Sequence, residues 1–168
     1  MPLNPEQEEG LQSALRLTRI LAFALCYASI AIYVALYALQ VLQGRWTAFF
    51  QGFQVVPWRS PLVLALVVVS AGTIALAYAL PGILLGVLQR SQPILKALHS
   101  CSLAVFALLE SVAIYGLVLG FVAGPAVASL SLLLLLVPPL LCPLMMPSEA
   151  KWRDAFEQSL LRQGSENV

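Results

Sequence analysis

Four long apolar stretches divide the chain, separated by short polar punctuation. They lie near Ile20–Leu42, Leu62–Leu88, Leu98–Val122 and Ala126–Met146. A helix needs about 20 apolar residues to cross a bilayer, and each stretch supplies them. An amphipathic helix on a soluble protein carries a charged or polar face, and these stretches have none. They also lack the period-2 alternation of a membrane β-barrel. In hydrocarbon every backbone polar group must be satisfied internally, which a helix does within its own segment. The predicted fold is therefore all-α, an integral membrane four-helix bundle. Composition agrees: 60% of residues are hydrophobic and 10% charged, where a soluble domain is about 25% charged.

The pattern divides the chain into a cytoplasmic N-terminal segment (1–19), a four-helix transmembrane domain (20–146) and a cytoplasmic amphipathic tail (147–168). Met1 to Ser13 is polar, contains two prolines and reads as a mobile lead-in. The first apolar stretch is too long for a signal-peptide core and follows the acidic Glu6, Glu8 and Glu9, so it reads as a retained helix. In the tail, Ser148 is a plausible N-cap, and Trp152, Phe156 and Leu160 share one face of the helix after it. That face suits a membrane surface or a partner, and an ordinary solvated helix fits as well.

Charge sets the expected orientation. With four spans, Arg16, Arg19, Arg90, Lys96, Lys151, Arg153 and Arg162 share the side of the termini, and only Arg45 and Arg59 lie opposite. The positive-inside rule then places both termini in the cytoplasm, for a multi-pass protein of the cell inner membrane. The net charge of +1, without a basic stripe interleaved with aromatics, gives no sign of a nucleic-acid partner. The first loop, Gln43 to Ser60, carries Trp46, Phe49, Phe50, Phe53 and Trp58, rings that favour the headgroup level.

Cys26, Cys101 and Cys142 fall inside apolar stretches without metal-ligand spacing and read as packing residues. No metal or other cofactor is expected. There is no phosphate-binding loop, nucleotide fingerprint or nucleophile–base pair, hence no independent catalytic constellation. His99 reads as an interfacial histidine. Tyr27, Tyr33 and Tyr37, with Ser29 between them, read as packing or snorkelling residues before a polar lining.

The second stretch carries a ribbon of small residues, Gly72, Ala75, Ala79, Gly82 and Gly86, and Gly82 to Gly86 is a GxxxG match. Such faces let helix backbones approach closely, so the ribbon is the expected helix-packing surface. Pro81 should kink this helix. The short loop Gln89 to Pro93 makes the second and third helices an antiparallel hairpin. The tight turn at Ala123-Gly124-Pro125 pairs the third with the fourth, which Pro138, Pro139 and Pro143 should bend or end early.

Glu110 is the one acidic residue inside any apolar stretch. Insertion scales put the cost of an acidic side chain at a helix centre near ~2.5–3.5 kcal/mol. No Lys or Arg stands at its depth, so the neutral acid should dominate. A neutral carboxyl still needs hydrogen-bond partners. Ser111 and Tyr115 are local candidates, and counting equal lengths from the hairpin loop brings Thr73 and Tyr78 to the same depth. These five residues form the expected proton-binding site.

Glu110-Ser111-Val112-Ala113-Ile114-Tyr115-Gly116-Leu117-Val118 resembles the ion-binding helix of the c subunit, or proteolipid, of rotary F-type ATP synthases. Arg90-Ser91-Gln92-Pro93 resembles the polar loop of that family with one residue inserted. The likeness covers about Gly72 to Val122 and implies a central c-subunit-like hairpin wrapped by two further helices. It also implies Glu110 as the ion-binding carboxyl, a homo-oligomer or an assembly with other membrane subunits, and proton translocation. Sodium-binding members use a glutamine on the partner helix, and none lies at that depth here, so the proton is the expected ion. The rival reading is a structural or assembly subunit in which Glu110 fixes helix packing. A small transporter or channel subunit is a third reading, weakened by the lack of a second intramembrane charge.

Overall fold

The structure is a computed structural model that describes residues 4–42, 60–88, 92–123 and 127–166. It is all-helical, with α1 at Pro5–Leu42, α2 at Pro61–Leu88, α3 at Ile94–Ala123, α4 at Ala128–Met145 and α5 at Glu149–Glu166. The aromatic loop, Arg45, Arg59, Arg90, Ser91 and the turn at Gly124-Pro125 lie outside the described residues, as do the side chains of Tyr37, Leu160 and Arg162.

Of the N-terminal segment expected as a mobile lead-in, Pro5 to Ser13 form the start of α1. Asn4 caps it: its carbonyl accepts from the Gln7 and Glu8 amides at 2.9 and 3.1 Å, and its own amide donates to Gln7 Oε1 at 3.1 Å. The Gln7 side chain thus supplies one arm of a capping box. Pro5 stands at the first helical position, where its missing N–H costs nothing. Glu6 and Glu8 in the first turn complement the positive end of the helix dipole. The polarity that suggested a lead-in belongs instead to the cap and first turn of a helix.

α3 is the hub and touches α1, α2, α4 and α5. Contacts at several levels fix the helix directions. Thr18 meets His99, the Cys142 thiol lies 4.0 Å from the Ala22 carbonyl, and Ser131 bonds to Gly116. α1 and α3 therefore run parallel, and α4 runs against both. α2 is antiparallel to α3: its start, Val63, packs with Leu119, while Ala77, nearer its end, packs with Phe106.

Among the described residues three helices are long and apolar enough to cross a membrane: Pro5–Ala35, Pro61–Leu88 and Ile94–Val122. α4 meets that standard only jointly with α5, from which it is bent by 56°. The architecture is compatible with a multi-pass membrane protein. α2 and α4 run through Pro81 and through Pro138, Pro139 and Pro143 without interruption. Neighbouring helices and local backbone adjustment re-satisfy the groups a proline frees in such a setting.

The apolar interior has three parts. At the end holding the termini, Leu11, Leu15 and Leu98 enclose Trp152 of α5. In the middle, Ala22 and Cys26 pack with Ala77, Val105, Phe106, Leu109 and Cys142. At the far end, Val63, Val112, Leu119, Val127 and Leu134 join α2, α3 and α4 without a described residue of α1.

The tail helix is docked on its own chain. Ser148 Oγ accepts from the Lys151 amide at 3.3 Å and caps α5 as expected. Trp152 and Phe156 retain only 4% and 9% of their exposure. Arg19 Nη2 donates to the Pro147 carbonyl at 3.3 Å, and Arg153 bridges Glu8 at 2.7 Å and Glu149 at 3.3 Å. Trp152 and Phe156, two residues of the apolar face that read as suited to a membrane surface or a partner, are thus buried within the chain.

Candidate functional site

Glu110 lies midway along α3, on the flank that faces α1. Its Oε2 is buried. The side chain opposite is Ser29 of α1, itself fully buried. The pair are neighbours, but the geometry falls short of a hydrogen bond: Ser29 Oγ and Glu110 Oε2 both lack a hydrogen-bond partner among the described residues. Among those residues no basic side chain forms an ion pair with Glu110.

The register of α1 against α3 explains the meeting. Thr18 pairs with His99, and Ser29 and Glu110 each follow 11 residues later, a rise of about 16 Å along two parallel helices. Cys26 is also beside Glu110, and Cys142 of α4 is beside Cys26. All three cysteines are buried free thiols, as their apolar surroundings suggested.

The partners expected for Glu110 do not gather around it. The Ser111 hydroxyl donates to the Ala107 carbonyl at 2.9 Å, and the Thr73 hydroxyl donates to the Val69 carbonyl at 2.8 Å, each within its own helix. Tyr115 follows Glu110 by five residues, which turns it about 140° around the helix onto another flank. Tyr78 is 57% exposed on α2. Equal counting from the hairpin loop found the right depth but not the facing helix. Ser29 stood in the sequence as the one serine inside the tyrosine stripe of the first helix, and parallel pairing of the first and third helices would have found it.

The small-residue ribbon requires a correction. A Cβ added at Gly72, Gly82 or Gly86 would meet nothing within 4 Å, and Ala75 and Ala79 are exposed. α2 instead buries Val63, Ser70 and Ala77. Their spacing of seven makes a separate seam, and the ribbon lies roughly 140° around the helix from it. Val63 and Ala77 of that seam pack against α3, and the ribbon faces away from the other described residues.

Close helix approach occurs elsewhere, at a GxxxG that the sequence analysis passed over, Gly116 to Gly120. A Cβ on Gly116 would stand 2.8 Å from the Ser131 carbonyl oxygen, 2.9 Å from Leu134 Cβ and 3.2 Å from the Leu135 nitrogen. A Cβ on Gly120 would stand 2.7 Å from Ser131 Oγ. That hydroxyl is buried and donates to the Gly116 carbonyl at 2.6 Å. Small residues and an interhelical hydrogen bond are the usual means of joining helices in lipid. Gly116 therefore serves the α3–α4 contact.

At the other end of the α1–α3 seam, buried Thr18 donates to the Ala14 carbonyl at 2.7 Å and lies 2.6 Å from His99 Nδ1. A hydroxyl has one proton. With that proton on Ala14, His99 Nδ1–H donates to Thr18; with it on His99, Nδ1 accepts. Either way the histidine ties two helices together. Among the described residues no group of three or more His, Cys, Asp or Glu side chains could hold a metal ion. Comparison of the chain with protein-family models, with curated proteins and with solved structures finds no match.

Proposed function

We propose that the chain is a membrane protein of four spans, α1 to α4, with Glu110 as a protonatable carboxyl at bilayer depth. Its role is proton translocation, or service in an oligomeric assembly like that of the rotary proteolipids. The observation that carries this reading is a buried carboxylate oxygen that faces a hydroxyl and no base, midway along an apolar helix. Intramembrane acids of this kind turn toward a bundle interior and mark proton pathways more often than they serve as ballast. The antiparallel α2–α3 pair and the likeness of Glu110 to Val118 add support. The exposed ribbon from Gly72 to Gly86 leaves a face on which another copy or another membrane subunit can pack closely. The count of basic residues supports cytoplasmic termini, which thiol labelling of Ser91→Cys and Gln51→Cys in intact cells tests.

A second reading has its own observation. Glu110 stands on the α1–α3 contact, where a neutral carboxyl can serve helix packing alone. Hydrophobic carbodiimides separate the two, because they need a protonated carboxyl reachable from lipid. Proton carriage predicts that Glu110 is modified at pH 6 and less at pH 9, and that Glu110→Gln abolishes proton-linked activity with helices intact. If Glu110 stays unmodified at both pH values and Glu110→Gln is fully functional, the packing role stands and proton carriage is wrong.

A further inference from the structure

Two buried polar atoms without partners, on different helices and facing each other, define a place that has not yet been given a ligand. Ser29 Oγ and Glu110 Oε2 are each shielded and unbonded among the described residues. A buried polar group left unmet costs its full desolvation, and a chain that leaves two at one point uses the point for something. The residues packed around them are apolar, among them Ala22, Cys26, Leu109 and Cys142.

We propose that Ser29 and Glu110 form one binding site, built across α1 and α3, for a single proton-bearing water. This rests on the reading of Glu110 as protonatable. Water can donate to the carboxylate oxygen and also accept from or donate to the hydroxyl, and two partners meet its minimum for burial. A metal cation needs more ligands, and among the described residues no cluster of three acidic, thiol or imidazole groups exists to supply them. The titratable groups nearby include Cys26 of α1, beside Glu110, Cys142 of α4, beside Cys26, and Tyr33, one turn after Ser29 on α1.

The site is separate from the Thr18–His99 pair. Fully buried Ala22 and Phe106 lie between them, over the roughly 12 Å of helix from Thr18 to Cys26. Beyond Ser29 no described side chain of α1 is buried, and the far apolar cluster contains no described residue of α1. Among the described residues Ser29 is thus the last fully buried side chain of α1.

The test is infrared difference spectroscopy of the full chain in lipid bilayers across a pH titration. The C=O stretch of a neutral carboxyl moves to lower wavenumber when it is hydrogen-bonded, and its loss in Glu110→Gln assigns the band. Ser29→Ala should move it to higher wavenumber, and Ser29→Thr, which keeps the hydroxyl, should hold it near its original place. Ser111→Ala, Thr73→Ala and His99→Ala should leave it unmoved, since those groups bond elsewhere. A band that titrates but is the same in Ser29→Ala overturns this site while the proposed function stands. The absence of any titrating Glu110 band overturns both. Loss of the band on adding sodium at constant pH identifies the ligand as a cation and overturns the assignment to water.

Discussion

Replacing Gly116 by alanine should weaken the α3–α4 contact, and the structure sets the scale. The new Cβ would stand 2.8 Å from the Ser131 carbonyl oxygen, whereas ordinary contact begins at 3.4 Å. The difference, 3.4 − 2.8, is about 0.6 Å of retreat for α4. Two of the three nearest atoms belong to the α4 backbone, so a rotamer change cannot absorb it. Overpacking of this kind costs about 1–3 kcal/mol. The retreat also stretches the 2.6 Å bond from Ser131 Oγ to the Gly116 carbonyl. Interhelical bonds in bilayers average about 0.6 kcal/mol and reach about 1.7. Against this, alanine gains up to about 1 kcal/mol of helix propensity over glycine. Destabilisation of about 1–3 kcal/mol is therefore expected. Unfolding in mixed detergent, followed by circular dichroism, measures it. Gly82→Ala is the control: it meets no neighbour within 4 Å and should be neutral or slightly stabilising. A cycle of Gly120→Ala with Ser131→Ala adds a second check, because the clash is with Ser131 Oγ at 2.7 Å and Ser131 Cβ stands at an ordinary 3.4 Å. The double variant should recover part of the loss, with a coupling of about 0.5–3 kcal/mol. Equal midpoints for Gly116→Ala and Gly82→Ala would refute the close approach.

Gly82→Leu and Gly86→Leu should leave the melting of the isolated chain unchanged, since neither meets another part of it. If the ribbon joins copies, native mass measurement will show each variant losing the oligomer; an intact oligomer in both would rule the ribbon out as its interface. Trp152→Ala should release α5, because truncating a buried aromatic costs about 3–5 kcal/mol; trypsin would then cut the tail at Lys151 and Arg153 sooner, and an unchanged rate would show that docking does not depend on this ring. Arg153→Ala should cost under about 1 kcal/mol, and less at high salt, because the Arg153 and Glu8 side chains are 39% and 41% exposed; tail cleavage compared at low and high ionic strength measures it.

Apolar run length by itself determined that the chain is helical and where three of its long helices lie. Backbone groups in hydrocarbon leave few alternatives, and the expected stretches match α2 and α3 to within a few residues. The cap that starts α1 was written in Asn4-Pro5-Glu6-Gln7 and could have been read. Glu110 stood out for the same reason as the helices: one acid in an apolar run is visible without coordinates. What it faces was decided by tertiary structure. Among membrane helices an apolar pattern does not say which side is interior, because lipid and neighbouring helices are equally apolar. Sequence therefore could not choose between the ribbon at Gly82 and the GxxxG at Gly116. Only packing assigned close approach to the second and left the first exposed. The same ambiguity hid Ser29. Chain adjacency pointed Glu110 at α2, while the parallel register of α1 on α3 turned it toward a helix 81 residues away.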